Sequence, residues 1–190
     1  QKDNEDPCLI YTRVNNPNME IVEEKLSVLD GAESSLIFSS GMAAISTTCL
    51  TFLNPGDSLI YSSPVYGGTD YFFKNYLPSK GVNCYEFACG ASYEEILNLG
   101  RESKNLKLIF IETPCNPLIK LTSLVEIEKV KKELNVMTII DNTFCGPYYL
   151  KPLKFGCDIV LYSVSKFIGG HSDVIAGSVS GKSELLKKIK

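Results

Sequence analysis

Apolar positions along the chain recur at two spacings, and the two alternate. Ile21, Val22, Leu26 and Leu29 fall on one face of a helix predicted over residues 19–29, with Gly31 as its stop. Residues 36–38 read as a short strand, and residues 42–53 as a helix closed by Asn54-Pro55-Gly56. A strand over 58–62 follows, then an aromatic helical segment over 71–77 ended by Pro78 and Gly81, a strand over 82–87 and a helix over 92–102. The second half is clearer. Residues 106–111 form an apolar run of the kind buried on both faces of a parallel sheet, and residues 124–134 are amphipathic and helical. Residues 136–140 and 158–162 are two more buried strands, residues 174–179 a further strand after a Gly-Gly turn, and residues 183–190 a Lys-rich helical pattern. Strands alternating with helices predict an α/β domain of three layers with a mostly parallel sheet. Ligands of such sheets bind beyond the carboxyl ends of the strands, so the residues just past each strand carry the functional reading.

Composition narrows that reading. The 190 residues hold 19 Lys plus Arg against 22 Asp plus Glu, a net charge of −3 without basic clusters, which argues against nucleic acid and anionic membranes as partners. Residues 34–56 carry no charge, but Ser39-Ser40-Gly41 and then Ser46, Thr47, Thr48 and Thr51 break the apolar run, and residues 1–7 are too polar for a secretory signal. His171 is the single histidine, which excludes His-rich metal sites. Seven cysteines without a C-x-x-C pair read as reduced intracellular thiols, so a cytoplasmic protein is expected. The chain starts without Met and stops inside a helical pattern, so both ends read as edges of a longer protein.

Three strand ends carry chemistry. Ser39-Ser40-Gly41-Met42 opens a helix, where free N–H groups and the helix dipole favour an anion such as a phosphate; an ordinary Ser N-cap is the simpler alternative. Asp141 ends a buried strand, where a carboxylate is costly without a cationic partner or hydrogen bonds; it is either a turn residue or the partner of a protonated ring nitrogen. Ser163-Val164-Ser165-Lys166 follows the next strand, and a lysine there is either a solvated surface group or a Schiff-base nucleophile. Phosphate cradle, ring-nitrogen carboxylate and amine together match the needs of pyridoxal 5′-phosphate.

The chain resembles the Cys/Met-metabolism family of pyridoxal-phosphate enzymes, of the trans-sulfuration type, from about Tyr11 to its end. The motifs are Tyr-Thr-Arg-Val-Asn-Asn-Pro-Asn (11–18), Ser-Ser-Gly-Met-Ala-Ala (39–44), Val-Tyr-Gly-Gly-Thr (65–69), Glu-Thr-Pro-Cys-Asn-Pro (112–117), Asp-Asn-Thr-Phe (141–144) and Ser-Val-Ser-Lys-Phe-Ile-Gly-Gly-His-Ser-Asp-Val (163–174). The resemblance implies the large domain of fold-type I pyridoxal-phosphate enzymes. It implies that Lys166 forms the Schiff base and shuttles the proton, that Asp141 pairs with the pyridinium nitrogen, that Tyr66 stacks on the ring, and that Asn116 lies near the phenolic oxygen. The N–H groups of Gly41 and Met42, with the hydroxyls of Ser163 and Ser165, would hold the phosphate, and Tyr11 and Arg13 would reach the phosphate of a neighbouring subunit. A homo-oligomer, a dimer of dimers in this family, is therefore expected, with residues 1–16 as an arm to the neighbour and residues 17–190 as the cofactor domain.

Ser165 stands where many relatives have Thr, Asn18 where Thr is commoner, and Cys115 where a small residue is usual. Gly68 stands where bacterial methionine γ-lyases carry Cys, which favours the cystathionine-type members. The family's C-terminal domain supplies an arginine for the substrate carboxylate; here only Arg13 and Arg101 occur, so a separate small domain is expected outside this chain, and the chain alone is expected to be inactive. The resemblance implies elimination or replacement at the β- or γ-carbon of a sulfur amino acid, by a cystathionine γ-lyase or γ-synthase type of enzyme. Methionine γ-lyase and O-acylhomoserine sulfhydrylase are the alternatives within the family, and a non-catalytic pyridoxal-phosphate-binding domain is the alternative of another class.

Overall fold

The computed structural model describes residues 11, 12 and 15–190. Among them seven strands form one sheet: β1 (Ser34–Phe38), β2 (Ser58–Ser63), β3 (Asn83–Ala88), β4 (Leu106–Glu112), β5 (Met137–Asp141), β6 (Ile159–Ser163) and β7 (Gly177–Gly181). Their spatial order is β1-β7-β6-β5-β4-β2-β3. All neighbours are parallel except those of β7, which runs antiparallel to both β1 and β6. The chain thus builds the mostly parallel α/β sheet that its alternating pattern predicts.

Period-two alternation sorts each central strand between two helical layers. On one face Leu108 and Phe110 of β4, with Leu59 and Tyr61 of β2 and Ile139 of β5, meet Ala44, Ile45 and Cys49 of α2 (Gly41–Phe52). The same layer holds α3 (Gly67–Tyr71), which continues through a π-helical turn (Phe72–Tyr76) into α4 (Leu77–Ser79). Phe73 of that turn lies 4.9 Å from the Tyr61 ring and 5.0 Å from the Phe110 ring, centroid to centroid. On the other face Ile60, Ile109, Ile111 and Ile140 meet α5 (Tyr93–Glu102) and α6 (Leu124–Leu134) through Ile96, Leu97, Ile127 and Val130.

Local chemistry sets the helix ends. Ser92 and Glu95 form a reciprocal capping box at the start of α5. Ser123 caps α6, and Asn135 ends it with φ of 51°. Among the described residues no helix is long and apolar enough to cross a membrane, and the six described cysteines are free thiols.

Two expectations need correction. The helix α1 (Pro17–Asp30) forms, but of Ile21, Val22, Leu26 and Leu29 only Leu26 is buried, because α1 lies along the β1–β7 edge of the sheet and packs there by little more than one side chain per turn. The last strand begins at Gly177 rather than at residue 174, since its register is set by Phe38 on β1 and Ser163 on β6; Val174 and Ile175 stay exposed. Two short helical pieces between β5 and β6, α7 (Gly146–Tyr149) and a 3-10 turn (Pro152–Phe155), were not predicted; α8 (Ser183–Ile189) was.

Candidate functional site

The carboxyl ends of β1, β2, β4, β5 and β6 open on one cavity of about 660 Å³. Gly41, Met42, Tyr66, Asn116, Asp141, Ser163, Ser165 and Lys166 all line it, so residues up to 125 positions apart in the sequence are brought to one place. Tyr11 is exposed and does not line it. Arg13 lies outside the described residues. Arg101 pairs instead with Glu133 across α5 and α6 and is not a cavity residue.

The turn into α2 leaves two donors for a ligand. Ser40 Oγ accepts the N–H of Ala43 at 3.0 Å, and the Ser40 carbonyl accepts that of Ala44 at 3.1 Å. The N–H groups of Gly41 and Met42 have no partner among the described residues, at a helix end where the dipole favours an anion. Glycine is needed there, since a Cβ on Gly41 would stand 2.9 Å from Ser163 Cβ. The Ser165 hydroxyl is engaged with Ala176, accepting its N–H at 2.9 Å and donating to its carbonyl at 3.2 Å. Ser163 is therefore the hydroxyl of the two without a protein partner among the described residues.

Asp141 is buried at the end of β5. Its Oδ1 accepts both the N–H of Thr143 at 3.0 Å and the Thr143 hydroxyl at 2.6 Å, and no donor among the described residues reaches Oδ2. Thr143 Oγ1 in turn accepts the N–H of Ser163 at 2.8 Å, locking the ends of β5 and β6 together. Burial pushes the Asp141 carboxyl above its usual range, offset in part by the Thr143 bonds and by the Lys166 charge. A cationic ring nitrogen is the kind of partner that such a carboxylate lacks.

Lys166 lies in the turn after β6, exposed at the cavity, with its N–H donating to the Ser163 carbonyl at 3.1 Å and its carbonyl accepting from Gly170 at 2.8 Å. Tyr66 begins α3. Its ring rests above Gly68, where a Cβ would come within 2.7 Å of Tyr66 Cε1 and 3.0 Å of Met42 Sδ. The donor set fits pyridoxal 5′-phosphate: an anion cradle, a buried carboxylate with a free oxygen, an aromatic face and a primary amine around one cavity.

The profile of the Cys/Met metabolism PLP-dependent enzyme family matches residues 1–190. The chain belongs to that family. Its cofactor is pyridoxal 5′-phosphate. The chain is 39% identical over 181 residues to a probable cystathionine gamma-synthase of Herpetosiphon aurantiacus, covering 95% of this chain and 56% of the relative. It is 38% identical over 187 residues to L-methionine gamma-lyase of Fusobacterium nucleatum, covering 98% and 47%. The crystal structure of MetB from Corynebacterium glutamicum superposes with a TM-score of 0.90 at 34% identity, covering 98% of this chain and 48% of that one. The chain thus spans about half the length of the relatives that it matches.

Glu112 also lines the cavity and is not among the site residues expected from the sequence. The signal was there: Glu112 ends β4 as Asp141 ends β5, and the same argument about a carboxylate on a buried strand applies to both.

Proposed function

We propose that this chain is the cofactor-binding part of an enzyme that eliminates or replaces the β- or γ-substituent of a sulfur amino acid, of the cystathionine γ-lyase or γ-synthase type. The observation that carries the reading is the convergence of Lys166, Asp141 and the free N–H groups of Gly41 and Met42 on one cavity, in a chain of this family. Gly68 beneath the Tyr66 ring favours the cystathionine type over methionine γ-lyase.

Bound pyridoxal phosphate supplies an electron sink for a carbanion at the substrate α-carbon. In this reading Lys166 Nζ holds the cofactor aldehyde and then moves the α-proton. Asp141 Oδ2 keeps the ring nitrogen protonated, and Thr143 keeps Asp141 oriented. Tyr66 covers one face of the ring, Asn116 meets its phenolic oxygen, and Gly41, Met42, Ser163 and Ser165 hold the phosphate. Ser165 can do so only by turning its hydroxyl away from Ala176.

Tyr11 and Arg13 complete the phosphate site of a neighbouring copy, from an arm of residues 1–16. The exposed apolar side chains Ile21, Val22, Val28 and Leu29 on α1, with Tyr148 and Tyr149 on α7, support a homo-oligomer, with a dimer of dimers as its form. A further domain supplies the substrate-carboxylate clamp, since Arg101 is committed to Glu133. The six described thiols, all unpaired, support a cytoplasmic location.

The test is to load the full-length protein with pyridoxal phosphate, reduce it with borohydride and map the label. A label on Lys166 that Lys166→Ala abolishes, with 2-oxo acid released from cystathionine, or cystathionine formed from an O-acylhomoserine and cysteine, faster than methionine is cleaved, supports the reading. A label on another lysine, or none, overturns it.

A further inference from the structure

Glu112 ends β4, lines the cavity and is 4% exposed, yet has no part in the chemistry above. Its two oxygens are used separately. Oε2 accepts the N–H of Tyr66 at 2.7 Å, and Oε1 accepts the N–H of Asn116 at 2.7 Å. Tyr66 follows β2 and Asn116 follows β4, so one carboxylate ties together loops from different strands. Its own N–H donates to Ser62 Oγ on β2 at 3.0 Å, which holds the root of the side chain. In the parallel register of β4 and β5, Glu112 stands opposite Asp141.

We propose that Glu112 is a positioning residue whose carboxylate, shared between the N–H groups of Tyr66 and Asn116, sets the two loops at a fixed separation around Asp141. This rests on the reading that Tyr66 and Asn116 meet the cofactor ring. Only an ionised carboxyl presents two acceptor oxygens with no donor. Glutamine would turn an NH2 toward one of the two N–H groups, and leucine would leave both without an acceptor. The arrangement is costly to maintain: burial and the facing Asp141 push the Glu112 carboxyl up to about 7, opposed by the same two N–H bonds.

The test is amide hydrogen exchange on the full-length protein without cofactor. Glu112→Gln should lower protection at Tyr66 and Asn116 by roughly tenfold while the amides of Ile109 and Ile139 keep theirs, and should weaken pyridoxal-phosphate binding in a separate titration. Unchanged protection at Tyr66 and Asn116 overturns the proposal. So does a loss spread evenly over β4 and β5, which marks a purely structural residue.

If Glu112→Gln fails to fold, pH replaces the mutation. The titratable groups around Glu112 are Asp141 on β5, Cys89 after β3 and Cys115 in its own loop, and burial holds the Cys89 thiol up at about 12, outside the range used. Lowering the pH from about 8 to about 6 should then reduce protection at both amides together, and in Asp141→Asn, which removes the facing charge, the same transition should move to lower pH. Protection factors that stay flat overturn the proposal. No cofactor enters this measurement, so its failure is distinct from a failure to trap Lys166.

Discussion

The hydroxyl of Tyr162, on β6, donates to Asp30 Oδ1 at 2.5 Å, joining the end of α1 to the strand that leads to Ser163 and Lys166. The Tyr162 hydroxyl oxygen itself accepts from Asn142 Nδ2 at 3.1 Å, and that amide also donates to the carbonyls of Gly146 and Leu150. All three side chains are buried, so the residue next to Asp141 is anchored from behind the cavity by a polar network.

Tyr162→Phe removes the donor to Oδ1 and leaves the buried Asp30 carboxyl with the Ser180 hydroxyl and the more distant Lys151 charge as the groups that favour its ionised form. A loss of about 1–3 kcal/mol in denaturant unfolding is expected. Burial holds the Asp30 carboxyl above its unfolded value and the Tyr162 bond opposes that shift. The folded state therefore binds the proton more tightly, and the group's contribution to stability falls as pH rises through the window between the two values. The mutational loss should accordingly be larger above that window than below it, and a loss independent of pH would contradict the assignment.

Gly177→Ala should damage the anion cradle from the far side. A Cβ there would lie 2.2 Å from the Ser40 carbonyl oxygen and 2.9 Å from Gly41 N, both backbone atoms that no rotamer change relieves. Expected are a stability loss of about 1–3 kcal/mol and a weaker affinity for pyridoxal phosphate, read by unfolding and by cofactor titration. Unaltered affinity would show that the Ser40–Gly41 turn does not carry the phosphate.

Two lysines with carboxylate partners should behave differently. Lys131 Nζ meets Asp158 at 2.6 Å and the Gly156 carbonyl at 2.7 Å, with both side chains of the pair about one-fifth exposed. Lys74 reaches Asp70 and Glu86 from a half-exposed position. Lys131→Met should cost about 1–3 kcal/mol because it strips a largely buried carboxylate of its charged partner. Lys74→Met should change stability by less than about 1 kcal/mol. Equal effects in parallel unfolding curves would count against the role of burial.

Asp141→Asn keeps an acceptor for both Thr143 donors but cannot hold a proton on a ring nitrogen. The protein should still fold and bind cofactor, while in the proposed reaction release of 2-oxo acid from a sulfur amino acid falls by well over about tenfold, more than ~1.4 kcal/mol in the barrier. Activity within that factor of wild type would remove Asp141 from the proposed role.

The elements were legible in the sequence where local chemistry decides them. Residues 124–134 form α6 with the predicted bounds, because Ser123 and Asn135 cap it with their own atoms. Gly31 ends α1 with φ of 69°, a conformation that glycine adopts without strain. The alternation of strands and helices likewise determined the α/β class, since each apolar period can be buried in one way only. That Lys166 and Asp141 are candidates at the cavity was legible too, because charged residues at the ends of apolar runs stand out against the pattern.

Tertiary structure decided what depends on partners distant in the chain. Nothing near α1 in the sequence tells that Ile21, Val22 and Leu29 stay exposed; that follows from how little of the sheet edge the helix covers. The start of β7 depends on Phe38 and Ser163, over 100 and 14 residues away. Glu112 ends an apolar run as Asp141 does, but that it faces Asp141 and receives the N–H groups of two loops was decided by the sheet. Spacing along the chain carries periodicity and caps, whereas the company of a buried polar atom is a property of the folded sheet alone.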